Sequence, residues 1–223
     1  MRNGRPHLVL FDLDGTLVDS VPDLAYCVDT MLRELGLPGA TEEEVRHWVG
    51  NGAERLVKRA LTQTMDDEPS DLDQYERAYA RLLDLYAEHT DELSRLYPGA
   101  REGLDYVNAL GCPIGCVTNK AERFTIPLLK SLGIYDDFHM IIGGDTLPAK
   151  KPDPFPLLFC AEQYKANPKH SVMVGDSVND VQAARAAGFR ILCVSYGYNH
   201  GNDIGDEGPD AVMHSLADLP THL

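Results

Sequence analysis

Apolar positions along the chain follow two different periods, and the change between them divides it. His7-Leu8-Val9-Leu10-Phe11 is dominated by apolar side chains over a strand's length, which predicts a buried strand. From Ser20 the spacing becomes helical. Ser20-Val21-Pro22-Asp23 reads as a capping-box start with a stop at Gly36, and Thr41-Glu42-Glu43-Glu44 reads as a second, running to Gly50. Ala53 to Thr64 places Leu56, Val57, Ala60 and Leu61 on one face. A long helix starting at Ser70-Asp71-Leu72-Asp73 carries Tyr75, Tyr79, Leu82, Leu83 and Tyr86 as its apolar stripe. Residues 19–95 thus read as all-helical, with the aromatic stripe as bundle core.

After Tyr97-Pro98-Gly99 helix and strand alternate. Helices are predicted over Arg101–Leu110, Ala121–Leu132 (with Pro127 starting, kinking or splitting it), Pro154–Tyr164 and Val178–Ala187, the last closed by Gly188. Strands are predicted over Pro113–Thr118, His139–Ile142, Ser171–Val174, Ile191–Val194 and Ala211–Met213. Strands separated by helices imply a parallel sheet with right-handed crossovers. The helical segment is therefore inserted between the first strand and the rest of an α/β fold.

The composition narrows the function. At 223 residues and 43% hydrophobic, the chain can bury a sizeable core. A net charge of -15 argues against nucleic acid or an anionic membrane as partner, and an anionic substrate would need a local cation. The five cysteines, Cys27, Cys112, Cys116, Cys160 and Cys193, are scattered through apolar surroundings, which suits a reducing cytoplasm. Cys112 and Cys116 lack the further ligands of a metal site. No apolar stretch approaches transmembrane length, and Met1–Pro6 lacks the apolar region of a signal peptide.

In a parallel sheet of this kind ligands bind outside the carboxyl ends of the strands. The first strand ends in Asp12-Leu13-Asp14-Gly15-Thr16, two carboxylates two residues apart, which repel unless a cation or a shared proton compensates. The second ends in Thr118-Asn119, and the fourth runs into Gly175-Asp176-Ser177-Val178-Asn179-Asp180. Lys150-Lys151-Pro152 lies between them, before a helix. Each motif alone has an ordinary explanation as a turn, a surface loop or a helix start.

Together, in this order and on these elements, Asp12-x-Asp14-Gly15-Thr16, Thr118-Asn119, Lys151-Pro152 and Gly175-Asp176-Ser177-x-x-Asp180 resemble the four motifs of the haloacid dehalogenase superfamily. The resemblance spans nearly the whole chain. Within that group, Phe11 to Ser20 and Trp48-Val49-Gly50-Asn51-Gly52-Ala53 are most similar to bacterial phosphoglycolate phosphatases, a match resting on a softer cap motif. It implies an α/β fold with a Rossmann-like parallel-sheet core, residues 1–18 and 96–223, and an inserted helical cap, residues 19–95.

The chemistry of the residues agrees with phosphoryl transfer, which needs positioning and charge neutralisation above all. Asp12 can act as a carboxylate nucleophile giving an aspartyl-phosphate, and Asp14 as the acid for the leaving group and then the base for water. Mg²⁺ suits an all-oxygen site. The resemblance implies ligation by Asp12, the backbone carbonyl of Asp14, and Asp176, with Asp180 supporting the site one helical turn on. Thr118 and the amides near Asn119 can hold phosphate oxygens, and Lys151 supplies positive charge, while Lys150 reads as a solvated neighbour. In the cap, the amides of Gly50-Asn51-Gly52 and the side chain of Arg55 could face a substrate carboxylate; the same glycines equally suit a plain turn between helices. Trp48 reads as packing and His200 as loop.

The expectation is a Mg²⁺-dependent phosphatase for a small phosphate monoester, 2-phosphoglycolate first, acting as monomer or homodimer. The alternatives are a related phosphatase for a sugar phosphate, pyrophosphate or nucleotide, a mutase resembling the beta-phosphoglucomutases, which have an arginine where Ala53 stands, and an inactive binding protein on the same fold.

Overall fold

The computed structural model describes residues 4–223; the start of the Met1–Pro6 stretch considered above lies outside them. The chain opens with strand β1 (Leu8–Phe11) and a two-residue strand β2 (Val18–Asp19). Four helices follow: α1 (Val21–Glu34), α2 (Glu42–Trp48), α3 (Ala53–Thr62) and α4 (Leu72–Glu88). Strand β3 (Arg95–Leu96) then leads to α5 (Ala100–Leu110), β4 (Ile114–Val117), α6 (Glu122–Ser131), β5 (Met140–Ile142) and α7 (Phe155–Gln163). The chain ends with β6 (Ser171–Gly175), α8 (Val178–Ala187), β7 (Arg190–Val194), β8 (Ala211–Met213) and a last turn of helix, α9 (Leu219–His222).

The six longer strands form one parallel sheet in the order β5-β4-β1-β6-β7-β8. Strand β1 is central, with β4 on one side and β6 on the other, so the ends of all three open onto the same crevice. Its side chains alternate as a pleat requires. Val9 and Phe11 enter a cluster with Leu104, Ile114 and Leu128 on one face, and Leu8 and Leu10 enter another with Leu157, Met173 and Ala184 on the opposite face. A third cluster, including Val28, Trp48, Val57, Leu82 and Tyr86, holds α1 to α4 together and takes in Phe124 and Tyr198 from the sheet side. Trp48 thus packs, as its sequence context suggested. Among the described residues no helix is long and apolar enough to cross a membrane.

Local signals misled the sequence reading in three places. Ser20 does not cap α1: its hydroxyl donates to Asp14 Oδ1 at 2.6 Å, and Asp23 instead accepts bonds from Leu93 N, Ser94 N and Ser94 Oγ at 2.6–2.9 Å. Both side chains of the expected box are claimed by tertiary partners. The Thr41–Glu44 box, whose partners are exposed, does form. Pro127 neither starts nor splits α6; it sits on an exposed face inside a continuous helix, so the bond it forfeits lies on the solvent side. The segment read as wholly helical, residues 19–95, is bounded by β2 and β3, which pair antiparallel as Val18–Leu96 and Asp19–Arg95.

Candidate active site

Asp12 follows the last residue of β1, and its amide is held by the carbonyl of Val174 in β6 at 2.9 Å. Its Oδ1 accepts from the Leu13 amide at 2.7 Å and pairs with Lys151 Nζ at 2.9 Å. The same ammonium donates to Asp180 Oδ1 at 2.7 Å. The other oxygen of Asp180 accepts from Asp176 N, Ser177 N and Ser177 Oγ at 2.8–3.2 Å, closing the start of α8. Asp176 is fixed through both oxygens, by Thr16 Oγ1 at 2.6 Å and Tyr198 N at 2.7 Å. A glycine is required beside it. Gly15 has φ +85°, and a Cβ there would lie 2.3 Å from Asp176 Oδ2.

These groups are buried, and burial sets their electrostatics. It pushes the Asp12 carboxyl up to about 7; Lys151 opposes the shift and Asp180 adds to it. Burial, then Asp12 and Asp180, raise Asp176 well above the usual carboxylate range. Burial also opposes charge on Lys151, but Asp12 and Asp180 outweigh it and hold the ammonium above its ordinary value. Oxygens of Asp12, Asp176 and Asp180 lie within 4.8 Å of one another, with Lys151 bonded to two of them. One lysine among three carboxylates leaves negative charge uncompensated, and an oxygen-only donor set of this kind fits a hard divalent cation. Asp180 is the least free to ligate, since its oxygens accept four bonds, from Lys151 and the α8 start, against two for Asp176.

The second carboxylate of the motif faces elsewhere. Asp14 Oδ1 accepts from Ser20 Oγ, and Lys120 Nζ reaches Oδ1 and Oδ2 at 3.1 and 3.2 Å. Lys120 also donates to the hydroxyl of Tyr86 on α4. Thr118, at the end of β4, is buried, and its hydroxyl oxygen accepts from the Lys120 amide at 3.2 Å. Asn119 Nδ2 donates to the carbonyls of Gly50 at 3.1 Å and Lys151 at 2.9 Å, tying the α2–α3 loop to the loop that carries the lysine.

A cavity of about 540 Å³ lies between sheet and helices. Asp12, Asp14, Thr118, Asn119 and Lys120 line it from the strand ends, and Gly50, Gly52, Leu56, Tyr79 and Tyr86 from the helical segment. Of the residues singled out in the sequence, Lys151, Asp176 and Asp180 stand behind Asp12, and Asn51 joins the loop contacts through Lys150 and Asn179. Arg55 is not brought in. Its guanidinium bonds to Glu68 at 2.9 Å, Met65 O at 2.7 Å and Asp66 at 3.4 Å, beyond the far end of its helix. Lys150, read as solvated, donates to the Asn51 carbonyl at 3.2 Å and lines the cavity. His200 stays a loop residue, its Nδ1 at 2.9 Å from the carbonyl of His47. Lys120 escaped the sequence reading, although it directly follows Thr118-Asn119.

Comparison with known proteins gives concordant relatives. Residues 9–194 match the family model of the haloacid dehalogenase-like hydrolases. The chain is 55% identical over 219 residues to a phosphoglycolate phosphatase of Nitrosococcus oceani, covering 98% of this chain and 97% of that one. It is 48% identical to a phosphoglycolate phosphatase of Thiobacillus denitrificans, over 94% of this chain and 92% of that one. The crystal structure of a predicted phosphoglycolate phosphatase from Haemophilus somnus superposes with a TM-score of 0.91 at 35% identity, covering 98% of both chains.

Proposed function

The chain belongs to the haloacid dehalogenase-like hydrolases, and from that membership we propose that it is a Mg²⁺-dependent phosphatase converting 2-phosphoglycolate to glycolate and phosphate. The observation that carries this reading is the division of labour between two carboxylates at one cavity. Asp12 is buried against Lys151, and Asp14 lies apart from it against Ser20 and Lys120. The phosphoglycolate phosphatases at 48–55% identity supply the substrate class.

Asp12 attacks phosphorus, forming the aspartyl-phosphate as the ester P–O bond breaks. Asp14 gives its proton to the departing alkoxide, producing glycolate with a free hydroxyl. The resulting Asp14 carboxylate then takes a proton from a water molecule, whose oxygen attacks phosphorus and restores Asp12. Lys151 neutralises charge on the phosphoryl oxygens, and Thr118 with the neighbouring amides orients them. Asp12, Asp176 and the backbone carbonyl of Asp14 would hold the Mg²⁺, which when bound neutralises the charge of the transferring group. Asp180 acts through Lys151 and the α8 start. Residues 1–18 and 96–223 form the catalytic core and 19–95 the cap in this reading, with Gly50-Asn51-Gly52 closing over the substrate and excluding water from the intermediate. The protein acts in this reading as a monomer or homodimer, and five buried free thiols suit a reducing cytoplasm.

The test compares kcat/KM over 2-phosphoglycolate, a hexose phosphate, pyrophosphate and a nucleoside monophosphate, with and without EDTA. The expected result is highest efficiency on 2-phosphoglycolate, abolished by EDTA. Asp12→Asn, which keeps the shape and removes the nucleophile, should lose at least about a thousandfold in turnover. Preference for the hexose phosphate overturns the substrate, EDTA resistance overturns the metal, and an active Asp12→Asn overturns the mechanism.

A further inference from the structure

Lys120 is the one buried lysine at the cavity that the reaction above leaves without a task. Its side chain is 5% exposed, it lines the cavity together with Asp12 and Asp14, and all three of its N–H donors are engaged. Two meet Asp14 at 3.1 and 3.2 Å and one meets the Tyr86 hydroxyl, with the ammonium also 4.6 Å from the centre of that ring. Burial works against its charge, yet Asp14 and Tyr86 more than compensate. The phosphoryl end already has a cation, Lys151, bonded to Asp12. Lys120 therefore serves whatever lies on the leaving-group side, where Asp14 works.

We propose that Lys120 selects substrates bearing a carboxylate next to the ester carbon, by passing from Asp14 to that carboxylate as the substrate binds. This rests on the phosphatase reading and on Asp14 as its leaving-group acid. To deliver a proton, Asp14 must approach the ester oxygen to about 2.6–3.2 Å. In an α-phosphooxy acid a single carbon separates that oxygen from the carboxyl carbon, so the carboxylate oxygens fall about 3 Å from it by ordinary bond lengths. An ammonium already touching Asp14 is then within reach of the carboxylate. The substrate's anion competes with Asp14 for it, and Asp14, released from the ion pair, takes a proton from solvent and turns to the ester oxygen. An ester without the carboxylate offers no competitor, and Asp14 stays in its ion pair. Tyr86 belongs to α4, so the third donor of the ammonium is anchored on the helical segment, and seating of that segment orients the selecting cation.

The measurement is the ratio of kcat/KM for 2-phosphoglycolate to that for its neutral amide, the phosphate monoester of glycolamide. Wild type should favour the acid, and Lys120→Met should lower the ratio by about ten- to a hundredfold, the scale of one charge-assisted contact. Lys120→Arg, which keeps the charge, should recover part of it. Should Lys120→Met fail to fold, Lys120→Gln carries the same comparison, because it removes the charge and keeps a polar side chain. A wild type that does not distinguish acid from amide sinks the phosphoglycolate reading itself. A wild type that does, with variants that keep its ratio, sinks the role of Lys120 alone, even if both rates fall together.

Discussion

Asp180 shows how much one side chain can hold in this protein. One oxygen fixes the Lys151 ammonium at 2.7 Å, and the other accepts two amides and a hydroxyl where β6 turns into α8. It is fully buried, so nothing replaces it when it is removed. Asp180→Ala leaves a buried ammonium with a single carboxylate and frees the helix start. The expected cost is about 3–5 kcal/mol, the range for breaking a buried pair by deleting one partner, read from denaturant unfolding. Activity should fall as well, because Lys151 loses the contact that aims it. Arg55→Ala is the matching control. Its partners Glu68 and Asp66 are exposed, so stability should change by about 1 kcal/mol or less, and kcat/KM for phosphoglycolate should stay near wild type. A large, substrate-selective loss in Arg55→Ala would place its guanidinium in the cavity after all.

At the scale of elements, the loop between α2 and α3 is held by residues from the end of β4, the β5–α7 loop and the start of α8. Asn119 and Asn179 both donate to the Gly50 carbonyl, at 3.1 and 3.3 Å, and Lys150 donates to that of Asn51. Gly52 has φ +91°, a left-handed backbone conformation that favours glycine at this turn. Asn119→Ala removes one donor to Gly50 and one to Lys151. Two bonds of about 0.5–1.5 kcal/mol each predict a rise in KM of roughly five- to a hundred-and-fiftyfold, measured by steady-state kinetics on phosphoglycolate. An unchanged KM would mean the loop closes without Asn119.

Much of this architecture is legible in the sequence, because it is periodic. The pleat of β1 and the stripe of α4 repeat within a few residues, and the strand-end motifs sit at fixed offsets from them. What stayed hidden depends on partners far along the chain. Ser20 has the pattern of a cap, but Asp14 outcompetes the helix for it. Arg55 sits near the turn in sequence, yet the rotation of α3 aims it at residues 65–68. Lys120 lies in a loop without periodicity, and its meaning comes from Asp14 and Tyr86, 106 and 34 positions away.

For the molecule as a whole, the β2–β3 ribbon brings the two crossings between sheet and helical segment side by side. Tyr198 reinforces the crossing, its hydroxyl donating to Asp19 and accepting from the Ser20 amide at 3.2 Å, with Arg46 stacked 5.2 Å above its ring. To the sheet, everything between the two strands is one long excursion that leaves and returns at a single point. Joining Asp19 to Arg95 by a short Asn-Gly turn should therefore give a chain that still unfolds in one cooperative transition, with reduced stability because Phe124 and Tyr198 lose their cover. Circular dichroism during heating checks this; absence of a transition would show that the sheet cannot form without the helices.

The central place of β1 has a further consequence, for the order in which the protein comes off the ribosome. The strand that presents Asp12 is made first, but its neighbours β4 and β6 lie more than a hundred residues downstream. The helices of residues 21–88 are complete well before either neighbour exists, and their contacts with one another, α1 against α4 included, close within that segment. During synthesis the apolar run Leu8–Phe11 must wait unpaired while the helical segment assembles beyond it. The nascent chain is most exposed to aggregation in that interval, and the emergence of β4 and then β6 ends it.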